Sequence, residues 1–501
     1  MKLVHLLAGL KEYDLVGDPE QEINGMVYDS RRVKPGYLFV AIKGFTVDGH
    51  DYLRDAIQNG ATVLVGETFE GVSRDLTRVS VPDSRDALWN LACQFYDRPF
   101  EGMNLIGVTG TNGKTSTCYI LESILTAAGA TPGIIGTINY HFSGKSYETP
   151  GTTPESLDLM AYLRQMADEG VSDVIMEVSS HALDQRRTGG CPFRVAIFTN
   201  LSRDHLDYHK TMEEYFEAKS LLFTELRKPV RDYEPIAVIN ADDPKGPELV
   251  SLTDARVMTY GLANDCHVRA DSVFVDKNGI KARLITPKGE KSFQAPLIGA
   301  VNIYNILAAS AAALSLGVDL GTVVDGIERL RVVPGRLELV ENNRGLTLMV
   351  DYAHTPDALL KTLKTVRPLA QGRVLTVFGC GGDRDKGKRY EMGQVAGENS
   401  DLVFITSDNP RSEDPLSIIA QIKEGILESG LTQLDASAQK AITGPGYFIE
   451  ADRREAIRKA VSMAGKEDLV LIAGKGHEDY QIIGNKRIAF DDRKEAALAA
   501  A

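Results

Sequence analysis

One stretch decides much of what this chain can become. IGVTGTNGKTST, residues 106–117, runs from a β-branched segment into glycines and on into the helical pattern STCYILESILTAAG. Strand, glycine turn and helix in that order make the opening of a βαβ unit, which builds parallel sheet. Short apolar runs alternate with helical stretches along the rest of the chain, so the fold class is α/β with largely parallel sheets. Three sections separate. Residues 1–98 carry two strand-like runs, YLFVAIKG and ATVLVGE, with the helix HDYLRDAIQNG between them. Residues 99–334 open with NLIGVTG, include DVIMEV, VAIFTN and IAVIN, and end at the linker VVPGR, 332–336. Residues 335–501 hold RVLTVFG, LVFITS and LVLIAG, each leading into a Gly- or Asp-rich turn. Turns of that kind put ligand groups at the carboxyl ends of strands.

Composition removes several classes of function. A length of 501 residues exceeds one ordinary core. Fifty-six Lys and Arg against 69 Asp and Glu give a net charge of −13, which speaks against a nucleic-acid coat or an anionic-membrane binder. No apolar run approaches the ~20 residues of a membrane span. MKLVHLLAGL at the start is short, contains His5 and meets Lys11, Glu12 and Asp14, so it reads as an amphipathic first helix, and a cytoplasmic location is expected. The five cysteines (93, 118, 191, 266 and 380) are scattered, with no CxxC, and are expected to be reduced and buried.

The glycine turn has the chemistry of a phosphate loop. Gly110 and Gly113 let the backbone N–H groups of Thr109, Gly110, Thr111, Asn112 and Gly113 turn inward around phosphates. The helix N-terminus adds partial positive charge, Lys114 can reach the β- and γ-phosphates, and the Thr115 hydroxyl suits Mg²⁺. Val108 stands where G-x-x-x-x-G-K-[ST] needs its first glycine, and no N-K-x-D string reads guanine, so this is not a GTPase-type loop. Further along, VIMEVSSHALDQRR (174–187) places Glu177 at the end of a buried-looking strand, where a carboxylate is costly unless it binds something. TNLSRDHLDYH (199–209) supplies Asp204, His205, Asp207 and His209. These suit a metal, and the aspartates equally suit helix caps. Lys219 in EEYFEAKSLLF reads as a lysine on an amphipathic helix. FGCGGDRDKGKR (378–389) fails the dinucleotide pattern G-x-G-x-x-G because Arg384 takes the third glycine's place, and DNPRSEDP (408–415) is first of all a turn.

TGTNGKT is similar to the loop of the Mur ligase and folylpolyglutamate synthetase superfamily, ATP-dependent ligases that join an amino acid to a carboxylate. The resemblance implies three domains: a small N-terminal α/β domain (1–98) for a UDP-sugar, a central P-loop ATPase-like parallel-sheet domain (99–334) for ATP, and a C-terminal Rossmann-like domain (335–501) for the amino acid. It assigns Glu177 and His205 to Mg²⁺, with Thr115, and it makes Lys219 a carbamylated lysine, an oxygen donor where an ammonium cannot ligate. Asn302 in NIYNILAA matches a nucleotide-base contact. Ser30 in MVYDSRRVKPGYLFVAIKG (26–44) matches the serine that holds the UDP-sugar. Thr152 and Thr153 in PGTTPES (150–156), with Ser179, Gln185 and Arg187, match the remaining acceptor contacts. Read by themselves, the threonines equally suit a helix start. Gly151 departs from the family's usual Asn.

DNPR (Asp408, Asn409, Pro410, Arg411) resembles the diaminopimelate-selecting motif of the family's third amino-acid ligases, and Arg384, Gly474 and Glu478 match the accompanying contacts. The physical reason is that Arg411 can fork a distal carboxylate, which meso-diaminopimelate has and lysine lacks. The resemblance thus implies addition of meso-diaminopimelate to UDP-N-acetylmuramoyl-L-alanyl-D-glutamate through an acyl phosphate, in peptidoglycan precursor synthesis, with ATP and Mg²⁺. A monomer acting on small molecules is expected. Two rivals remain: a folylpolyglutamate synthetase-like ligase, which lacks the first domain and DNPR, and a nucleotide-binding sensor without turnover.

Overall fold

The computed structural model describes residues 1–44, 47–73, 75–149, 151–226, 233–434 and 444–501. Three larger sheets follow one another along the chain. The first has five strands in the order Asp14–Val16, Thr77–Ser80, Ala61–Gly66, Tyr37–Val40 and Gly25–Val27, parallel except at the Asp14–Val16 edge. Period-two alternation decides its faces. Leu38 and Val40 point to one side with Leu3, Leu6 and Leu88, while Phe39 and Ala41 point to the other with Leu53 and Ala56. The opening helix is only Leu3–Leu7, and its Leu3, Leu6 and Leu7 are buried.

The second sheet has eleven strands, with the phosphate-loop strand Asn104–Thr109 between Asp173–Glu177 and Phe193–Phe198, all parallel. Both faces are covered. Ile106, Val108 and Ile175 pack with the helices Lys114–Ala127 and Val301–Ser315, while Leu105, Val174 and Met176 pack in a cluster that includes Leu88 and Trp89 of the first section. A single apolar cluster therefore runs beneath the first and second sheets. The expectation of largely parallel sheet holds at the centre and fails at both edges, and at one of them Pro132–Ile135, Tyr140–Phe142 and Lys145–Tyr147 pair antiparallel. Val268–Asp276, Gly279–Thr286 and Gly289–Ala295 form an antiparallel meander. Their connections are too short for a crossover helix, and Gly279 and Gly289, at φ +126° and +119°, follow the tight turns.

The third sheet has six strands, in the order Glu338–Leu339, Thr347–Asp351, Leu469–Ala473, Val374–Phe378, Leu402–Ile405 and Gly446–Ile449. All neighbours are parallel except the first pair. Asp351, Phe378, Ile405 and Ala473 end four of these strands on one edge, and each feeds a polar loop toward the second sheet.

Candidate active-site cleft

The phosphate loop closes because two glycines sit where side chains have no room. Gly110 (φ +141°) and Gly113 (φ +87°) would bring a Cβ to 1.9 Å from Thr199 Oγ1 and 2.3 Å from Asn305 Oδ1, respectively. Thr199 Oγ1 donates to the Asn112 carbonyl at 2.7 Å, and the Asn112 N–H donates to Asn200 Oδ1 at 3.0 Å. Thr111 Oγ1 donates to the Ser202 carbonyl at 3.2 Å, while Thr109 is fully buried beneath the turn. Lys114 Nζ curls over the loop, 2.9 Å from both the Gly110 and Thr111 carbonyls. Burial lowers its ammonium below the ordinary value, with Glu177 and Asp204 acting in the opposite sense. Asn302 is buried and donates to the Ile298 carbonyl at 2.7 Å, with Asn305 bonded to its other end.

Glu177 is 1% exposed, and its carboxylate accepts three hydrogen bonds from two residues. Thr115 Oγ1 donates at 2.9 Å, the Thr137 N–H at 2.9 Å and Thr137 Oγ1 at 3.0 Å. The partners resolve the cost of a carboxylate at a buried strand end. Lys219, also 1% exposed, donates to the Gly110 carbonyl at 3.0 Å and lies 4.3 Å from the Tyr215 ring centroid. Burial, and then the Lys114 charge, push its ammonium well below the usual lysine range. His205 stands apart on the cleft wall with φ +55°, its ring 4.8 Å from that of His181 and 5.9 Å from that of Tyr215. Among the described residues no three His, Cys, Asp or Glu side chains gather closely enough to hold a metal.

The residues expected at the acceptor divide. Thr153 Oγ1 donates to the Glu177 carbonyl at 2.8 Å and accepts from the Ser179 N–H at 3.1 Å, while Thr152 Oγ1 lies 3.1 Å from Thr137 Oγ1. Arg187 reaches the Thr153 carbonyl at 3.0 Å and Gln185 Oε1 at 2.7 Å. Glu155, not a threonine, caps the helix Ser156–Asp168, and Ser179 caps Ser180–Asp184. Pro150 of PGTTPES lies outside the described residues. Ser30 belongs to the short turn Ser30–Arg32 of the first section, where its carbonyl accepts from Asn59. Arg85 bridges the two groups, donating to the Lys43 carbonyl at 3.0 Å, Glu155 at 3.1 Å and the Gln185 carbonyl at 3.2 Å.

The third section brings its residues together. Arg384, Asp408, Asn409, Arg411, Gly474 and Glu478 line one cleft of ≈ 1090 Å³, with Thr152 and His205 from the middle section on its facing wall. Pro410 is buried, and its carbonyl accepts from the Glu413 N–H. The Arg411 backbone is pinned to Ile482 and Gly484, and its Nη1 donates to the Gly382 carbonyl at 2.7 Å. Buried Arg389 pairs with Glu413 at 2.8 Å and donates to the Gly381 carbonyl at 3.2 Å, tying the Arg384 loop to the DNPR loop. Gly474 has φ +113°, and a Cβ there would lie 2.7 Å from Asp408 Oδ2.

Several contacts were invisible in the sequence. Arg336 Nη2 donates to Thr115 Oγ1 at 3.1 Å with its guanidinium 4.6 Å from the Tyr352 ring centroid, although the sequence shows only a linker arginine. Asp357 Oδ2 accepts from Ser202 Oγ at 2.8 Å and Asn112 Nδ2 at 3.3 Å, joining the third section to the phosphate loop.

Three family descriptions match in chain order. Residues 22–96 match "Mur ligase family, catalytic domain", residues 108–313 "Mur ligase middle domain", and residues 335–476 "Mur ligase, glutamate ligase domain". The chain is 48% identical to a protein of Geobacter sulfurreducens named UDP-N-acetylmuramoyl-L-alanyl-D-glutamate--2,6-diaminopimelate ligase, over all of this chain and 98% of that protein. A solved structure bearing the same name is 34% identical, covering 96% of this chain and 95% of its own, with a TM-score of 0.66. A folylpolyglutamate synthase of Mycobacterium tuberculosis, solved with ADP and AMPPCP, is 20% identical, covers 77% of this chain and 92% of its own, has a TM-score of 0.61, and shares the fold alone.

Proposed function

The chain belongs to the Mur ligase family, and from that premise we propose that it joins meso-diaminopimelate to the D-glutamyl γ-carboxylate of UDP-N-acetylmuramoyl-L-alanyl-D-glutamate, consuming ATP, in peptidoglycan precursor synthesis. The observation that carries this reading is the shared cleft. Arg411, Arg384, Asp408 and Glu478 face it from the third section, opposite Thr152 and His205. An ammonium and a carboxylate at the distal end of one amino acid find acids and guanidinium groups there, whereas lysine would leave the guanidinium groups unpaired. The identity to the Geobacter protein over the full chain supports the same substrates.

The chemistry divides between the sections. Lys114, the turned loop amides and the helix N-terminus hold the nucleotide phosphates. The acceptor γ-carboxylate attacks the γ-phosphorus, the bond to the β–γ bridging oxygen breaks, and ADP leaves with that oxygen. The acyl phosphate so formed is an electrophile that the free carboxylate is not. The diaminopimelate amine then attacks its carbonyl carbon, and phosphate departs from the tetrahedral intermediate. Thr152, Thr153, Ser179, Gln185 and Arg187 orient the acceptor, and Ser30 holds its uridine end from the first section. Asp408, Asn409, Pro410, Arg411, Arg384, Gly474 and Glu478 form the amino-acid pocket. Closing the third section over the second aligns amine and acyl phosphate and excludes water.

The donor set suits Mg²⁺. The Thr115 hydroxyl and Glu177 carboxylate already touch beside the loop, and hard cations prefer such oxygens. Lys219 is a buried amine bonded to a carbonyl, and as a carbamate it would add an anionic oxygen donor, with His205 completing the set. When bound, Mg²⁺ neutralises phosphate charge. We assign Asn302 to the nucleotide-base end, by the motif it shares with the family. We propose the partition 1–98, 99–334 and 335–501, supported by the succession of three sheets along the chain, and a cytoplasmic monomer as the working unit.

The test is ATP-dependent phosphate release with the nucleotide-dipeptide acceptor, comparing meso-diaminopimelate with L-lysine. Release with meso-diaminopimelate alone is the expected result. Release with lysine but not meso-diaminopimelate would overturn the assignment.

A further inference from the structure

Lys475 is completely buried, yet its ammonium ends among the residues of the amino-acid pocket. Its Nζ donates to Glu478 Oε2 at 2.7 Å and Asn409 Oδ1 at 3.2 Å, lies 3.9 Å from Asp408 Oδ1, and sits 5.4 Å from the Tyr480 ring centroid. Asn409 Nδ2 donates to the same Glu478 oxygen at 2.9 Å. A dry ammonium persists only among partners that compensate its lost hydration. Asp408, Asn409 and Glu478 all line the cleft, whereas Lys475 does not. Lys475 is therefore a fixed charge behind the pocket wall.

From this geometry we propose that Lys475 is a positioning residue that sets the preference for a diamino acid with a distal carboxylate. The inference rests on the reading of the cleft as the diaminopimelate pocket. Two carboxylates, Asp408 and Glu478, share this one buried cation, so the cluster carries a single net negative charge toward one ligand ammonium. Lys475 and Asn409 engage one Glu478 oxygen and leave the other as the acceptor for that ammonium. Without Lys475 the wall gains a unit of negative charge. It would then repel the ligand's carboxylate, which Arg411 and Arg384 receive, and would favour the distal monocation of lysine.

The experiment measures phosphate release by the full-length protein with ATP and the nucleotide-dipeptide acceptor, using meso-diaminopimelate and L-lysine in turn. The proteins are wild type, Lys475→Met, Lys475→Gln, Glu478→Gln and Lys475→Met/Glu478→Gln. The glutamine variant is one atom shorter but keeps a hydrogen-bonding end and removes the charge, so it serves if the methionine variant does not fold, and melting curves establish folding for all. In the folded Lys475 variants the KM for meso-diaminopimelate should rise ~10-fold or more, on the scale of removing one partner of a buried charge pair, with the KM for ATP near wild type. The ratio of kcat/KM for lysine to that for meso-diaminopimelate should rise as well. In the Glu478→Gln background the methionine change should add less than it does alone. An unchanged amino-acid KM, an unmoved lysine ratio in a folded variant, or full additivity in the cycle would overturn the role of Lys475 alone. A wild-type protein that releases no phosphate with meso-diaminopimelate would overturn the reading of the pocket, and the inference with it.

Discussion

Arg411 holds φ +53°, a left-handed conformation that costs an L-residue about 1–2 kcal/mol. Bonds to Ile482 and Gly484 keep it there and fix the base of a side chain whose direction matters. Arg411→Ala should lower kcat/KM for meso-diaminopimelate by ~30-fold or more, the scale of about 2–5 kcal/mol for breaking a charge-assisted pair, while ATP binding by calorimetry stays near wild type. Unchanged steady-state constants would count decisively against the pocket. Gly474→Ala puts a Cβ against Asp408 at a backbone angle of φ +113°. Weaker diaminopimelate binding is expected, with a stability loss of about 1–3 kcal/mol, read by thermal melting. Lys219→Ala should abolish acyl-phosphate formation, with partial recovery from added short carboxylates and none from bicarbonate. Full activity in that variant would remove the carbamate from the scheme. At this scale, legibility followed pattern. TGTNGKT stands out because its glycines constrain the backbone locally, whereas DNPR alone reads as a turn and takes its expected role from the family resemblance. Lys475 and Arg336 do not, because a lysine among glycines and an arginine in a linker acquire meaning only when distant chain folds around them.

The elements that carry the site were easier to foresee. Uninterrupted apolar runs such as DVIMEV and LVLIAG became parallel strands, because strands covered on both faces need no alternation. Their polar followers then fell at carboxyl ends. The antiparallel meander from Val268 to Ala295 escaped the reading, since strands paired across tight turns obey a different rule from strands joined by helices. The phosphate loop depends on its neighbouring strand as much as on its own sequence. Gly110→Ala would drive a methyl group into Thr199, so nucleotide binding should be lost in calorimetry while the rest of the sheet still folds. Beneath the DNPR loop, Arg453 and Asp492 are both fully buried and paired at 2.7 Å, joining the helix Arg453–Met463 to the helix Asp492–Ala499. Asp492→Ala leaves an uncompensated cation and should cost about 3–5 kcal/mol, visible as a lowered midpoint in denaturant unfolding.

Across the whole molecule, the third section packs on the second through Ile298, which shares an apolar cluster with Leu337, Leu359 and Leu363, and the described residues add polar contacts that include Arg336 on Thr115, Asp357 on Ser202 and Asn112, and Arg487 on Glu148. The last is exposed and should contribute little. Asp357 is the better test of communication between nucleotide and amino-acid halves, because its carboxylate also holds Lys361 at 2.8 Å. Asp357→Ala should raise the KM for ATP by a factor of ~2–30, corresponding to about 0.5–2 kcal/mol of coupling, and speed amide hydrogen exchange across the phosphate loop. Identical exchange in the two proteins would detach that contact from closure. The first section meets the second through Arg85 and through an apolar cluster that includes Leu88, Trp89, Phe100, Leu105 and Met160. Grafting a foreign first section onto this scaffold would therefore strand greasy surface on both halves of the chimaera. Change at that end of the molecule is easiest in loops that can be rewritten in place, and at the opposite end an exchanged part would have to keep both the polar contacts and the apolar seat around Ile298.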